Sequence, residues 1–530
     1  MEEKEERPNP VAVLFRAEWE NLGSRKKIYV AYMILFIIAS AMTLLTPLVV
    51  GLIFNTIQQE ITSIEQLHKL LFMISFLLVL TIGFWVFHGS GRVLQELTSY
   101  NVHRNFTNKK MKKILDLPVK WHKDNHSGAT IDKLNRSRNG LAAFSSDITT
   151  EIIYSTLNIL GSLLILFFVN WQIALFSTVF SFIVLFIAIK LDDKLIKKYK
   201  QINVFSNKLS SSIFDYLSNI MTVITLRLKK RVSLEVDNRI TASYKTEKEV
   251  IFLREIKWAF SGIAVSFMTV AALAYYAYTS YLDEGLILIG TLYLLYGYLG
   301  KIGQAFQKFA GLYGRITRKS ARVQGISSID EAHGLIADKN HGKLPPYWKK
   351  IDIHNLNFSY HDDTVDTHLD NVSLSIKRGQ KIAFIGESGS GKSTILALLR
   401  GLYNSHRGSM LIDGNNIPNG FSKLKNHVTL IPQDPELFND SIGYNITLGI
   451  PTKKDEVLEV IEMAQFKNTL SRLPSGLSTN VLEKGVSLSG GEKQRLALAR
   501  GLLAAKKSDI VLLDEPTSSV DSINEIRIHD

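Results

Sequence analysis

Long uncharged apolar runs dominate the N-terminal half of the chain. Ile28–Ile53 spans 26 residues, Leu70–Phe87 18, Ile152–Ile189 38 and Trp258–Leu282 25; Gly285–Gly300 forms a shorter run. A helix crosses the hydrocarbon core of a bilayer with roughly 20 apolar residues. In lipid every backbone polar group must be satisfied within the segment, so the runs read as helical spans rather than strands. The longest is too long for one crossing and carries Asn170-Trp171-Gln172 near its middle, a natural turn. The pattern therefore predicts six spans.

The loops between them orient the bundle. Asn101–Gly140 carries ten Lys/Arg against three Asp, and Lys190–Arg231 again ten against three. Ile53–His68 and the last hairpin hold only Glu60, Glu65, Asp283 and Glu284. Basic loops stay on the cytoplasmic side, which places both termini there and predicts a multi-pass protein of the cell (inner) membrane. The net charge of +13 is thus accounted for by topology, with no nucleic-acid partner. The absence of cysteine excludes a disulfide framework, Cys-ligated zinc and thiol catalysis. Residues 1–27 form a charged leader without the pattern of a secretory signal, where Phe15, Ala17 and Trp19 suit a short surface helix.

Helical patterning continues into the basic loops. Leu209, Ile213, Leu217 and Ile220 recur at spacings of three and four, so the spans extend as helices beyond the bilayer. Tyr275, Tyr276, Tyr278, Tyr281, Tyr293, Tyr296 and Tyr298 fit helix packing and an interfacial belt better than a substrate cavity. His88 and Arg92 fit charges reaching for the membrane surface.

From Ile351 the pattern turns to short β-rich runs, with a break at Pro345-Pro346. Lys381–Ile385 reads as a buried strand. It leads into Gly386-Glu387-Ser388-Gly389-Ser390-Gly391-Lys392-Ser393 and an apolar helix from Thr394, the strand–loop–helix context of a P-loop. Its glycines let backbone N–H groups curl around phosphates, Lys392 adds positive charge, and the Ser393 hydroxyl suits Mg2+. Asp509–Leu513 reads as a second buried strand ending in Asp514 and Glu515. Asp514 suits the hydrated metal, and Glu515 suits orienting and deprotonating the attacking water. Between the two lies Leu488-Ser489-Gly490-Gly491-Glu492, followed by a helix.

With these motifs the chain resembles the ABC transporter family, whose signature reads LSGGQ where this chain has Glu492. The resemblance covers nearly the whole chain and implies an exporter-type half-transporter. It implies that Tyr360, in Phe358-Ser359-Tyr360, stacks on adenine. It makes Gln433 the loop glutamine that contacts Mg2+, Asp521 the acid of the loop linking two ATP sites, and Glu483 an acidic contact to the membrane domain. Leu117–Gly128 and Phe214–Thr222 would be the coupling elbows. Catalysis would rest on Glu515, Lys392 and Gln433, and ATP on Tyr360, Gly386–Thr394, Gln433 and Ser489–Glu492. Ser393, Gln433 and Asp514 would hold Mg2+. Because each signature serves the other subunit's P-loop, a second half-transporter is implied, as a homodimer or a heterodimer.

The expected organisation is a leader at 1–27, a membrane domain at 28–341, a linker at 342–350 and an α/β P-loop ATPase domain at 351–530. The family's γ-phosphate histidine and last sheet strands would fall beyond Asp530, so the ATPase domain reads as C-terminally incomplete. His529 reads as a surface residue on a helix from Ser522. The function implied is ATP-driven export or flipping of an amphipathic lipid, glycolipid, drug or peptide. An ATP-gated channel or regulatory subunit on the same scaffold is the alternative.

Overall fold

A computed structural model describes residues 9–125, 127–335, 344–345, 347–360, 368–403, 407–417, 421, 424–434, 436–481 and 488–529. The chain forms two compact units: Met1–Leu115 with Gly128–Glu331, and Asp116–Ser127 with Ala332–Asp530.

The first unit is helical. The elements are α1 (Pro10–Asn21), α2 (Lys26–Gln58), α3 (Ile64–Asp116), the short α4 (Val119–Asp124), which belongs to the second unit, and α5 (Ser127–Ala143). They continue with α6 (Thr149–Val169), α7 (Trp171–Ser218), α8 (Ile220–Thr225), α9 (Lys229–Thr241), α10 (Tyr244–Glu284) and α11 (Ile289–Gln324), and then α12 (Ser327–Gly334), which begins in this unit. Among the described residues, five helical segments are long and apolar enough to cross a membrane. The sixth predicted span lies in α11, which is longer than the run at Gly285–Gly300 and carries charge along one face. The break in the longest apolar run falls where expected: Asn170 leaves the helical conformation and its side chain accepts from Ile173 N at 3.0 Å, capping α7.

Packing follows the apolar faces. Leu294, Leu295, Tyr298, Leu299 and Ile302 of α11 are buried against Leu166 of α6, Ile173 of α7 and Met268 and Tyr276 of α10. Tyr298 donates to Leu44 O at 2.6 Å, so Tyr298 and Tyr276 serve packing, while Tyr278, Tyr281 and Tyr296 are exposed. Close approach of α2 and α11 depends on glycine, since a Cβ on Gly290 would lie 1.9 Å from Gly51 O. Gln58 locks the same seam, donating to Ile287 O and accepting from Ile289 N.

A π-helical turn, Phe144–Ile148, interrupts the rod between α5 and α6. Two of its carbonyls are taken by side chains of α3: Gln95 donates to Ser145 O at 2.8 Å and Arg92 to Ser146 O at 2.6 Å. Arg92 is therefore a structural clamp on this turn rather than a free charge at the membrane surface. His88 shares a 2.8 Å hydrogen bond with Tyr154. Beneath the turn, α1 docks through Leu14 and Glu18, with Phe15 edge-on to Phe144 at 5.0 Å. The leader helix thus buries a face. Its Trp19 remains half exposed.

Within Phe214–Thr222 the helix breaks, with α7 ending at Ser218 and α8 starting at Ile220. Ile213, Leu217 and Ile220 are exposed.

In the second unit β1 (Lys350–Phe358) is the centre of an antiparallel sheet of order β2-β1-β3-β4, with β2 Leu369–Lys377, β3 Arg407–Ile412 and β4 Asn415–Asn416. A parallel pair follows, β5 (Val428–Ile431) against β6 (Ile510–Leu513). One core joins Ile351, Ile353 and Phe358 to Leu396, Leu398 and Leu399 of α13 (Lys392–Leu399). A second gathers Ile442 and Ile446 of α14 (Ile442–Thr447), Val460 and Ile461 of α15 (Lys454–Met463), and Leu496 and Leu498 of α17 (Gly490–Ala505). Between these last two helices lies α16 (Lys467–Arg472), and α18 (Ser522–His529) follows β6.

One expectation is overturned. Lys381–Ile385 is not a buried strand: it has no ladder partner among the described residues, and Ile385 is 95% exposed. A continuous apolar run fits a strand with neighbours on both edges and both faces. Here the parallel sheet has two strands, and neither pairs with this run. The same lack of cover leaves Leu513 of β6 48% exposed, while Leu512 is buried.

Candidate active site

The P-loop turns on two left-handed glycines, Gly389 (φ 85°) and Gly391 (φ 90°). A Cβ on Gly391 would also lie 2.7 Å from Leu369 Cδ2, so both conformation and space require glycine there. Gly391 caps α13, whose first N–H groups face the loop. Lys392 folds back and donates to Gly386 O at 2.8 Å and Glu387 O at 2.7 Å. The carbonyls thus hold the ammonium at the loop that phosphate would enter.

Three motifs distant in sequence meet here. Ser393 donates to Asp514 Oδ1 at 2.9 Å, which joins the P-loop to the end of β6. Gln433 donates to Glu515 Oε2 at 2.5 Å. Asp514 N donates to Ile431 O at 3.0 Å, so the parallel β5–β6 pair sets the position of both acids. Tyr360 stands beside the first turn of α13, donating to Thr394 Oγ1 at 3.3 Å and packed edge-on against Phe358, His368 and Tyr403. The Lys123 ammonium of α4 lies 5.7 Å from the Tyr360 ring centroid and 5.5 Å from that of Tyr403.

The signature opens α17 as a capping box. Ser489 Oγ accepts from Glu492 N at 3.3 Å, and the Glu492 carboxylate accepts from Ser489 N at 2.9 Å and Ser489 Oγ at 3.0 Å. Arg472 donates to its other oxygen at 2.6 Å. Burial pushes the Glu492 carboxyl up, but the Ser489 hydrogen bonds and the Arg472 charge outweigh it and hold the group below the usual range. No hydrogen bond among the described residues joins Ser489, Gly490 or Gly491 to the P-loop of the same chain. Asp521 lies 3.6 Å from Arg495 and is stabilised as an anion by Asn524. His529 is exposed on α18, and Glu483 lies outside the described residues.

Gln494 is the residue that the motifs did not single out. Buried on α17, it donates to Gln433 O, Glu515 O and Ser518 Oγ and accepts from Ser519 N. One side chain thereby ties together the loop glutamine, the acid pair and the following loop. Its signal in the sequence was a polar residue four positions before Leu498, on the apolar face of a helix.

A phosphate-cradling loop and long apolar helices in one chain define its class, a membrane protein with its own nucleotide-binding domain. Residues 29–303 match the ABC transporter transmembrane region and residues 369–518 the ABC transporter family model, and the chain belongs to this family. It is 30% identical over 428 residues to heavy metal tolerance factor 1 of Caenorhabditis elegans, covering 78% of this chain and 52% of that protein. It is 24% identical over 447 residues to the ATP-dependent lipid A-core flippase of Syntrophus aciditrophicus, covering 83% and 72%. The chain thus spans about half the length of the first of these relatives. A solved bacterial Atm1-family ABC exporter with ATP bound shares its fold, with a TM-score of 0.81 at 22% identity over 96% of this chain and 88% of that one.

Proposed function

We propose that this chain is one half of an ATP-driven exporter that moves an amphipathic solute across the cell membrane, with both termini cytoplasmic. The observation that carries the reading is the pairing of Ser393 with Asp514 and Gln433 with Glu515 at one P-loop. The Ser393 hydroxyl, the Asp514 carboxylate and the Gln433 amide form a hard-oxygen donor set that suits Mg2+. When bound, Mg2+ neutralises charge on the β- and γ-phosphate oxygens of ATP.

The chain's own groups do the rest. Lys392 exchanges two carbonyls for phosphate oxygens, and Gly386–Thr394 wrap the phosphates with backbone N–H groups. Tyr360 offers a ring face to adenine. Glu515 orients the attacking water and accepts its proton, with Gln433 fixing the carboxylate. Ser489, Gly490 and Gly491 are a γ-phosphate site that, among the described residues, makes no hydrogen bond to the P-loop of its own chain. A second copy, or a related half, would supply the facing P-loop.

Lys392→Ala is expected to abolish tight MgATP binding, and Glu515→Gln to preserve it while removing turnover. Equal nucleotide affinity in wild type and Lys392→Ala, measured by calorimetry, would overturn the site assignment. ATP-dependent uptake into inside-out vesicles against a gradient identifies a pump; flux only down the gradient identifies a channel.

A further inference from the structure

Gln494 stands on α17 three residues after Gly491 and four after Gly490, so it shares the helix face of the signature glycines. Four residues of helix amount to about 6 Å. The same face is pressed against the loop that follows the acid pair, since a Cβ on Gly491 would lie 2.7 Å from Ser519 O. Gln494 is 3% exposed, and both ends of its amide are engaged. Its Oε1 accepts from Ser519 N at 2.8 Å, which fixes which end of the amide is oxygen. Its Nε2 donates to Ser518 Oγ at 3.0 Å, Glu515 O at 3.2 Å and Gln433 O at 3.3 Å. Those two carbonyls belong to the residues whose side chains meet beside the P-loop, Gln433 and Glu515. The bond to the Glu515 carbonyl acts on a backbone in the left-handed region, φ 44°, where a small rotation re-aims the carboxylate. On the exporter reading the phosphate at Ser489–Gly491 belongs to ATP on the other subunit's P-loop, whereas Glu515 serves the P-loop of its own chain. About one turn of α17 therefore lies between one ATP and the acid that acts on the other.

We propose that Gln494 is a positioning residue that couples the two ATP sites: when the signature takes phosphate, Gln494 passes the displacement of α17 to Glu515 and Gln433 of its own chain. The inference rests on the exporter reading and adds to it how one site senses the other. A helix turn moves as a rigid element, and an amide hydrogen-bonded at both ends cannot follow it without moving the loops it holds.

The test uses dimers of two differently tagged full chains in nanodiscs. The second chain carries either Glu515→Gln, which leaves its P-loop filled but inert, or Lys392→Ala, which leaves it empty. Hydrolysis at saturating ATP then reports the first chain's site alone, and the ratio of the two rates reports how far that site senses the other. With Gln494 native the ratio should be roughly 5–150, the usual range of coupling between sites, and with Gln494→Met in the first chain it should fall to about 1. A variant that only misplaces Glu515 lowers both rates and leaves the ratio unchanged. An unchanged ratio would therefore overturn the coupling, as would a ratio of about 1 with Gln494 native. If Gln494→Met does not fold, Gln494→Glu keeps the volume and the acceptor for Ser519 while opposing an oxygen to both carbonyls, and the ratio should fall likewise. Hydrogen exchange of the nucleotide-free chain needs no turnover. There Gln494→Met should speed exchange of the Ser519 amide, whose acceptor it removes, and an unchanged rate would overturn the tie. Faster exchange without hydrolysis by dimers carrying native Gln494 would count against the exporter reading and not against the tie.

Discussion

Glu515 has a left-handed backbone, φ 44°, which side chains with a Cβ adopt at a cost of order 1–3 kcal/mol. Gln494 and Gln433 hold it there, one on its carbonyl and the other on its carboxylate. Strain at the group that the exporter reading turns toward a water is consistent with an acid aimed by its neighbours. Glu492 shows the opposite economy. Its carboxylate engages the Ser489 hydroxyl that the exporter reading assigns to γ-phosphate, so that hydrogen bond must break before phosphate is bound. A hydrogen bond to a charged group contributes about 1.5–3 kcal/mol. Glu492→Gln keeps the capping box and removes the charge. In a Glu515→Gln background it should lower the ATP concentration needed for dimer closure roughly tenfold, measured by size-exclusion chromatography. An unchanged ATP dependence would mean that Ser489 is not restrained by this pair.

Among the helices, α1 has a pH-sensitive attachment. Glu18 is 1% exposed, accepts from Tyr29 at 3.3 Å and faces Tyr32 and Ser145. Burial pushes its carboxyl up to about 7 from 4.5, more than the Tyr29 hydrogen bond and the nearby Ser145 hydroxyl lower it. The folded state then holds the proton more tightly than the unfolded state does. Stability should be unaffected below about pH 4.5, fall as pH rises to about 7, and level off above, by about 3 kcal/mol in all. Glu18→Gln should abolish that slope, read as apparent melting temperature against pH in nanodiscs, and identical slopes would refute the account. The sequence reading placed a surface helix here without its buried acid, because burial depends on the π-turn at Phe144–Ile148, to which no local pattern points. The spans were legible because a bilayer imposes length and apolarity on each segment separately. Lys381–Ile385 misled for the converse reason: its composition met the requirements of a central strand, but strand character depends on neighbours. The P-loop, the acid pair and the signature could be read because their spacing is local. Gln494 was missed because its role is to join three loops far apart in sequence.

At the scale of the whole molecule, two units with separate cores should unfold separately. The exposed apolar edge at Ile382, Phe384, Ile385 and Leu513 marks the second as the less stable. Calorimetric scans should show two transitions, with MgATP raising only the lower, since a ligand stabilises the state that binds it. A single transition, or a shift of both, would show that the units are thermodynamically one.

The position of α4 also constrains how the protein is made. Six residues are too few for a helix to persist alone in water, and the aromatic rings beneath Lys123 come from the second unit. Tyr403 is 280 residues downstream. At translation rates of 5–20 residues per second, roughly 15–60 s pass between synthesis of α4 and that of those rings. For most of that interval α3 and α5, on either side of it, are complete in sequence, so α4 is ordered after the segments that flank it.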